Sequence, residues 1–418
     1  MSKISAGVGL AQLIAFAATP LLTRLYDPSD YGSMAVFAAI VAILAAVATG
    51  RFDAAIPLPP ETTAGEKEAL GLLRLALMCA CALCCTAMVV AVLILTTGME
   101  TPLSDLGPWL LAVPLGALLG ATSSSLYSYS TRRREYGVIA RVAPAQRVGS
   151  SALMIGFGVL GAGRSGLILG SLLSPLFGLV AMGKVLRSSV RAEFPMGPGF
   201  QRGDSGRIAR KYSDFPRHNL PFALLNALAW NVQVLVIGVF YPAAAVGQYA
   251  LAFTAISLPA SLIIAGVNQV FLRESAGLAD EREGSLRFAR RTLAVLGLVS
   301  AAVFPLMMLV APTLFPMIFG DDWMMAGALA VAISPLLWAR FLGTTISGVF
   351  VVHRRQGQLL IWQIGTLAAT LGVYLLGGNA GWTLVAVTWC ASLVLAPFYL
   401  LLIPWGLRVI RHSQVRIP

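Results

Sequence analysis

The stretch "LLTRLYDPSDYG", Leu21–Gly32, decides how the chain is read. An apolar run over about residues 4–24 ends at its Arg24, and a second, over about 31–50, begins at its Tyr31. Each flank has about the 20 residues that a helix needs to cross the hydrocarbon core of a bilayer. The few polar residues between them leave room only for a tight turn. The stretch therefore predicts a hairpin of two membrane-spanning helices, because backbone N–H and C=O groups inside lipid must find their partners within the helix itself.

Working outward, the same pattern returns along the chain. Further runs of spanning length lie at about 70–97, 108–129, 145–162 and 165–186, and, after roughly 30 polar residues, at about 218–240, 247–272, 291–318, 325–351, 358–377 and 382–406. The composition agrees: 57% of residues are hydrophobic and 11% charged, against roughly a quarter charged in soluble domains. The expected fold class is an all-α polytopic membrane protein with twelve transmembrane helices in two six-helix lobes. The expected division is 1–186 for the N-terminal lobe, 187–217 for a basic cytoplasmic linker, 218–406 for the C-terminal lobe and 407–418 for a cytoplasmic tail.

The formal charge of +12 follows the spans rather than forming a nucleic-acid patch. Arg51 and Lys67 follow the second run. Arg132, Arg133, Arg134, Arg141 and Arg147 are read as following the fourth, and Lys184 to Arg217 as following the sixth. Arg273 to Arg291, Arg354 and Arg355, and Arg408 to Arg416 follow the eighth, tenth and twelfth. The opposite loops carry only Arg24 and Arg164, with Asp27, Asp30, Glu100, Asp105, Asp321 and Asp322. By the positive-inside rule both termini are expected in the cytoplasm.

The two halves look duplicated. "YDPSDYGSMAVFAAI" from Tyr26 resembles "YPAAAVGQYALAFTAI" from Tyr241, aligning Tyr26 with Tyr241 and Gly32 with Gly247. "VPLGALLGATSSSLYSYSTRRREYG" likewise resembles "SPLLWARFLGTTISGVFVVHRRQG". An even number of spans per half gives both halves one orientation, so the expected pseudo-two-fold axis runs along the membrane normal.

Several chemistries are disfavoured. Cys79, Cys81, Cys84 and Cys85 crowd one apolar run and Cys390 lies in another, where they read as small packing residues rather than metal ligands. His218, His353 and His412 are far apart. "GAGRSG" at Gly161 lacks the strand–helix context and the Lys-Ser/Thr ending of a nucleotide loop, so it reads as a turn. No cofactor or metal is expected, and no enzymatic activity.

"LLTRLYDPSDYG" with "RFDAAIPLP" (Arg51–Pro59) resembles the opening of the Wzx-type O-antigen and polysaccharide flippases. "ARKYSDFPRHNLPFALLNALAW" (Ala209–Trp230), "GQYALAFTAISLPASLIIAGVNQVFLRESA" (Gly247–Ala276) and "FPMIFGDDW" (Phe315–Trp323) resemble their seventh span, eighth span and the loop before the tenth. These proteins share a superfamily with lipid II flippases and multidrug antiporters. The resemblance implies two six-helix lobes around a central cavity and transport by alternating access. It also implies, as substrate, an oligosaccharide on undecaprenyl diphosphate, moved from the cytoplasmic to the outer leaflet of the bacterial inner membrane for O-antigen, capsule or exopolysaccharide assembly. A polysaccharide polymerase or glycosyltransferases are the protein partners it implies, beside the lipid bilayer and without nucleic acid.

A diphosphate must not cross bare hydrocarbon, and arginine meets phosphate with a planar, permanently charged fork. Intramembrane arginines are costly and therefore functional candidates. Arg24, Arg51, Arg273 and Arg340 are the expected diphosphate contacts. Gln12, Asn226, Asn231, Gln233, Asn268 and Gln269 are candidate sugar contacts, as are Thr19, Thr344, Thr345 and Ser347, with helix–helix hydrogen bonding as the alternative. Asp53, Asp214 and Glu274, at cytoplasmic ends, are the candidates for ion coupling, with solvated ion pairs as the alternative. The runs contain no mid-span carboxylate, which disfavours a carrier of cationic drugs. A secondary transporter for small solutes with the same six-plus-six layout remains the competing reading. A membrane polymerase or acyltransferase is more distant, since the outer loops are short.

Overall fold

The computed structural model describes residues 2–97, 104–193, 202–257, 282–352 and 355–412. Arg273, Asn268, Gln269 and Glu274 lie outside them. Every regular element among the described residues is helical. In chain order they are α1 (Ser2–Leu25), α2 (Pro28–Ala48), α3 (Thr63–Thr97), α4 (Ala112–Arg132), α5 (Tyr136–Val159), α6 (Arg164–Glu193), α7 (Arg202–Lys211) and α8 (Leu220–Phe240). Then come α9 (Ala243–Ser257), α10 (Arg282–Phe319), α11 (Met324–Val352), α12 (Gln356–Asn379) and α13 (Leu384–His412).

Ten of these helices are long and apolar enough to cross a membrane. Of the twelve runs expected, the fifth and eighth fall outside that set. The fifth coincides with α5, whose apolar character Arg141 and Arg147 dilute. The eighth begins as the shorter apolar helix α9 and continues beyond the described residues. Prolines sit inside α1, α5, α6, α10, α11 and α13. A proline inside a helix costs about 3 kcal/mol in water, but membrane helices tolerate it because neighbouring helices and hydroxyl side chains satisfy the freed groups.

Hydroxyl donors inside these helices turn back on their own backbone, for want of water. Thr19 donates to the Ala15 carbonyl (2.8 Å), Ser125 to Ala121 (2.9 Å), Ser334 to Ala330 (2.7 Å) and Thr388 to Leu384 (2.7 Å).

The chain divides into two compact units: Met1–Tyr26 with Ser33–Asn231, and Asp27–Gly32 with Val232–Pro418. The division falls inside α8, not at the expected residue 218, and it gives the tip of the opening hairpin to the second unit. The expected linker is not free chain either. α6 runs on to Glu193, and α7 packs on α3 of the first unit. Ile208 of α7 is buried there in an apolar cluster with Phe52, Ile56, Leu72, Tyr129 and Met182.

The internal packing of the two units matches. α3 meets α4, α4 meets α6 and α5 meets α6 in the first; α10 meets α11, α11 meets α13 and α12 meets α13 in the second. The aligned tyrosines behave alike. Tyr26 donates its hydroxyl to the Met154 carbonyl in α5 (2.6 Å), and Tyr241 to the Trp382 carbonyl just after α12 (2.8 Å).

Within the second unit the aligned glycines meet reciprocally. A Cβ on Gly32 would strike the Ala243 carbonyl, and one on Gly247 would strike the Pro28 carbonyl. Pro28 and Ala243 are themselves equivalent positions of the repeat, so this is a two-fold arrangement in which only glycine lets the backbones touch. Tyr31 beside it stands edge-on to Trp323, ring centres 5.0 Å apart.

Candidate functional site

In the first unit the candidate site grows from the end of α2. The helix stops at Ala48, and two left-handed residues follow, Gly50 (φ 59°) and Arg51 (φ 62°). A short 3-10 turn, Phe52–Ala55, then buries Phe52 and Ala55 in the apolar cluster that also holds Ile208. Glycine enters the left-handed region freely, but a side chain there costs about 1 kcal/mol or more. Besides Arg51, only Arg134 does so among the described non-glycine residues.

Three hydrogen bonds hold Arg51 in that conformation. Its backbone N–H donates to the Thr49 hydroxyl (3.2 Å), and Thr49 donates to Asp53 (2.7 Å). The second Asp53 oxygen accepts from Ser124 of α4 (2.9 Å). Asp53 is 4% exposed. It is thus no solvated ion-pair partner, as the alternative reading had it, but a buried carboxylate whose oxygens are taken by hydroxyls. What remains unmatched is cationic: the Arg51 Nε is buried and has no hydrogen-bond partner among the described residues.

Arg24 is exposed in the last turn of α1. Gln12 is half-buried in α1, and Asp214 is exposed. Asn226 is exposed on α8. Asn231, on the same helix, donates to the Ala227 carbonyl of its own helix (2.8 Å). Thr344, Thr345 and Ser347 likewise bond backbone carbonyls of α11.

In the second unit, Arg340 of α11 lies over the Tyr399 ring of α13, 5.7 Å from its centre, a favourable cation–π arrangement. Gln233 is buried and accepts from the Tyr249 hydroxyl (2.6 Å), with Tyr374 and Thr388 close by. Gln248, which the sequence reading did not single out, is buried too. It accepts from the Ala326 N–H at the start of α11 (2.7 Å) and donates to the Asp322 carbonyl, tying α9 to the "FGDDW" turn.

At the start of α3, Glu66 binds Arg132 (3.0 Å) and the Tyr129 hydroxyl (2.7 Å), while Arg132 also donates to the Pro59 and Pro60 carbonyls. These contacts clamp the "PLPP" loop that leads from Arg51 to α3. A cavity of about 380 Å³ in the same unit is lined by Ser123, Ser124 and Tyr127 of α4 and Gln146 of α5, with Val8 and Pro175. Ser124 belongs both to this wall and to the Asp53 hydrogen bonds.

The sequence reading also misplaced two arginines. Arg141 and Arg147 were expected in the loop after the fourth run, but α5 begins at Tyr136 and both are helical.

A family model of polysaccharide biosynthesis proteins matches residues 21–327. None of the curated protein sequences is significantly similar to the chain. Among solved structures, an inward-facing multidrug resistance MATE family transporter of the MOP superfamily superposes with a TM-score of 0.70 at 16% identity, over 99% of each chain. The lipid II flippase MurJ in an inward closed conformation gives 0.73 at 12% identity, over 98% of this chain and 88% of that one. A MOP superfamily transporter from Pyrococcus furiosus gives 0.57 at 15% identity, over 99% and 96%. The fold is that of the MOP-superfamily transporters.

Proposed function

The chain belongs to the polysaccharide biosynthesis protein family, and from that premise we propose that it is a membrane flippase. Its substrate on this reading is an oligosaccharide repeat unit on undecaprenyl diphosphate, carried from the cytoplasmic to the outer leaflet of a bacterial inner membrane, with both chain termini in the cytoplasm. A polymerase or glycosyltransferases then act before and after it.

The observation that carries this reading is Arg51. A guanidinium with a buried, unpartnered Nε, held in a strained backbone conformation by Thr49, Asp53 and Ser124, lacks an acceptor. A diphosphate supplies one, with the bidentate geometry that suits arginine. Asp53 then serves to fix Arg51. Arg24 in the first unit and Arg340 in the second are the further cations that offset cargo charge, with Arg273 assigned by its place in the sequence. Of the polar candidates, Gln12 keeps the sugar-binding role most readily, since Asn231 and the Gln233 carbonyl are already engaged.

The test is transport in proteoliposomes with fluorescent undecaprenyl-diphosphate oligosaccharide in one leaflet. Wild type should equilibrate the lipid between leaflets, and Arg51→Ala should slow it about tenfold or more, the worth of a charge-assisted hydrogen bond; Arg24→Ala and Arg340→Ala should also slow it. Wild-type protein that moves no lipid-linked sugar under any proton or Na+ gradient, yet moves a small solute, would establish the small-solute carrier instead.

A further inference from the structure

Arg147 has no role in the sites described above. It lies in the middle of α5, and α5 lies against α1 along the membrane-spanning part of that helix. A Cβ on Gly7 would strike the Ala140 carbonyl, which Pro144 leaves without its usual helical N–H. At the other end, a Cβ on Gly158 would meet Leu25 and Tyr26. The two contacts are equally spaced on both helices, so the helices run parallel and in step, and Arg147 is level with Ile14.

The apolar stretch Gly7–Leu25 of α1 is long enough to span a membrane. Seven residues beyond the Gly7–Ala140 contact, at 1.5 Å each, place Arg147 about 10 Å along α1 from that contact, beside the interior of this stretch. Ala140, Met154 and Gly158 mark the stripe of α5 turned to α1. Arg147 falls on that stripe, two turns from Ala140 and two from Met154.

Yet Arg147 is exposed. Its side chain has no hydrogen bond, ion pair or ring contact among the described residues; only its carbonyl is used, by Ser150. A permanently charged group at this depth, emerging along a helix seam with no partner from its own chain, costs several kcal/mol unless an anion comes to it. The group that membranes supply at this boundary is a lipid phosphate, and the guanidinium fork suits it. Gln12 of α1, within one turn of the same height and half-buried, adds a neutral hydrogen-bonding group.

We propose that Arg147 and the α1–α5 seam form a second phosphate site, on the cytoplasmic half of the first unit, for the phosphate head of a membrane lipid. Its occupant on the flippase reading is the diphosphate of the cargo as it enters from the inner leaflet; that assignment rests on the proposed function, whereas the phosphate chemistry does not.

The test is binding, not transport. The full chain in phosphatidylcholine nanodiscs is titrated with undecaprenyl diphosphate, with phosphatidylglycerol and with uncharged undecaprenol, for wild type, Arg147→Gln, Arg147→Lys and, as a control of equal charge change, Arg141→Gln. Arg147→Gln should weaken undecaprenyl diphosphate about tenfold or more, with undecaprenol unchanged, Arg147→Lys intermediate and Arg141→Gln like wild type. If phosphatidylglycerol binds as tightly and shows the same loss, the site stands and its occupant is an anionic phospholipid.

Unaltered affinity of Arg147→Gln for both phosphate lipids overturns the proposal, as does an equal loss in Arg141→Gln. Should Arg147→Gln fail to fold, modification of wild-type Arg147 by phenylglyoxal, read by mass spectrometry, decides. Undecaprenyl diphosphate or phosphatidylglycerol should protect it where undecaprenol does not, and no protection by either phosphate lipid rejects the site. Phosphate binding without lipid-linked sugar transport would sink the flippase reading and leave this site intact.

Discussion

At the scale of single residues, the end of α2 trades stability for a presented cation. Arg51 occupies a backbone region that suits glycine, and the hydroxyls of Thr49 and Ser124 with the buried Asp53 carboxylate hold it there. Arg51→Gly should therefore raise the melting temperature in detergent, by relief of about 1 kcal/mol of strain, while on the flippase proposal it slows transport about tenfold or more. An unchanged or lower melting temperature would show that the arginine side chain contributes more to the fold than its strained backbone costs. Thr49→Val should do the reverse to stability. It leaves a buried Asp53 oxygen without its donor, a loss of about 1–3 kcal/mol, and should lower the melting temperature together with transport. The arginine here was legible from sequence, since a positive charge where an apolar run ends draws notice. Its left-handed conformation and the burial of Asp53 were not, because both depend on Ser124, which is 71 residues away on α4.

At the scale of elements, α7 shows which interaction dominates. The Lys211–Glu68 pair is short, 2.6 Å, but its lysine side chain is 57% exposed, and exposed pairs contribute little. Ile208 is 5% exposed among Phe52, Leu72 and Tyr129. Ile208→Ala should cost about 2 kcal/mol or more and speed amide exchange across Arg202–Lys211, whereas Lys211→Ala should leave exchange near wild type. The opposite ranking would mean that the ion pair is the anchor. α5 teaches the complementary lesson. An apolar-run reading starts this helix late, at about residue 145, because Arg141 interrupts its hydrophobicity, yet the helix, packed against α1, begins at Tyr136. Hydropathy detects helices with unbroken apolar surfaces, and it passes over one that charged residues interrupt.

At the scale of the whole molecule, the sidedness of the charges is the property most open to test. With the five native cysteines replaced, a cysteine at position 164, the first residue of α6, should react with a membrane-impermeant maleimide from outside intact cells. One at position 207, exposed on α7, should react only after permeabilisation. The reverse pattern would invert the proposed orientation and with it the direction of transport; labelling of both sites from outside would break the span count. Ten of the twelve expected runs are long apolar helices among the described residues, and the packing of α3–α6 matches that of α10–α13, as the weak repeat led one to expect.

Read alone, the sequence determined that this is a helical membrane protein with a repeated half and with cationic groups where lipid should exclude them. Those properties follow from local rules: lipid demands long apolar runs with internally satisfied backbones, and charge sorts by loop. Only the tertiary structure decided that Asp27–Gly32 belongs with the second unit, that Gly32 and Gly247 need to be glycine because each lies against a backbone carbonyl of the other hairpin, and that Arg147 lies on a helix packed beside α1. The physical reason is the same in each case: these are contacts between segments far apart in sequence, and no local pattern of hydrophobicity or charge records which distant backbone a residue will meet.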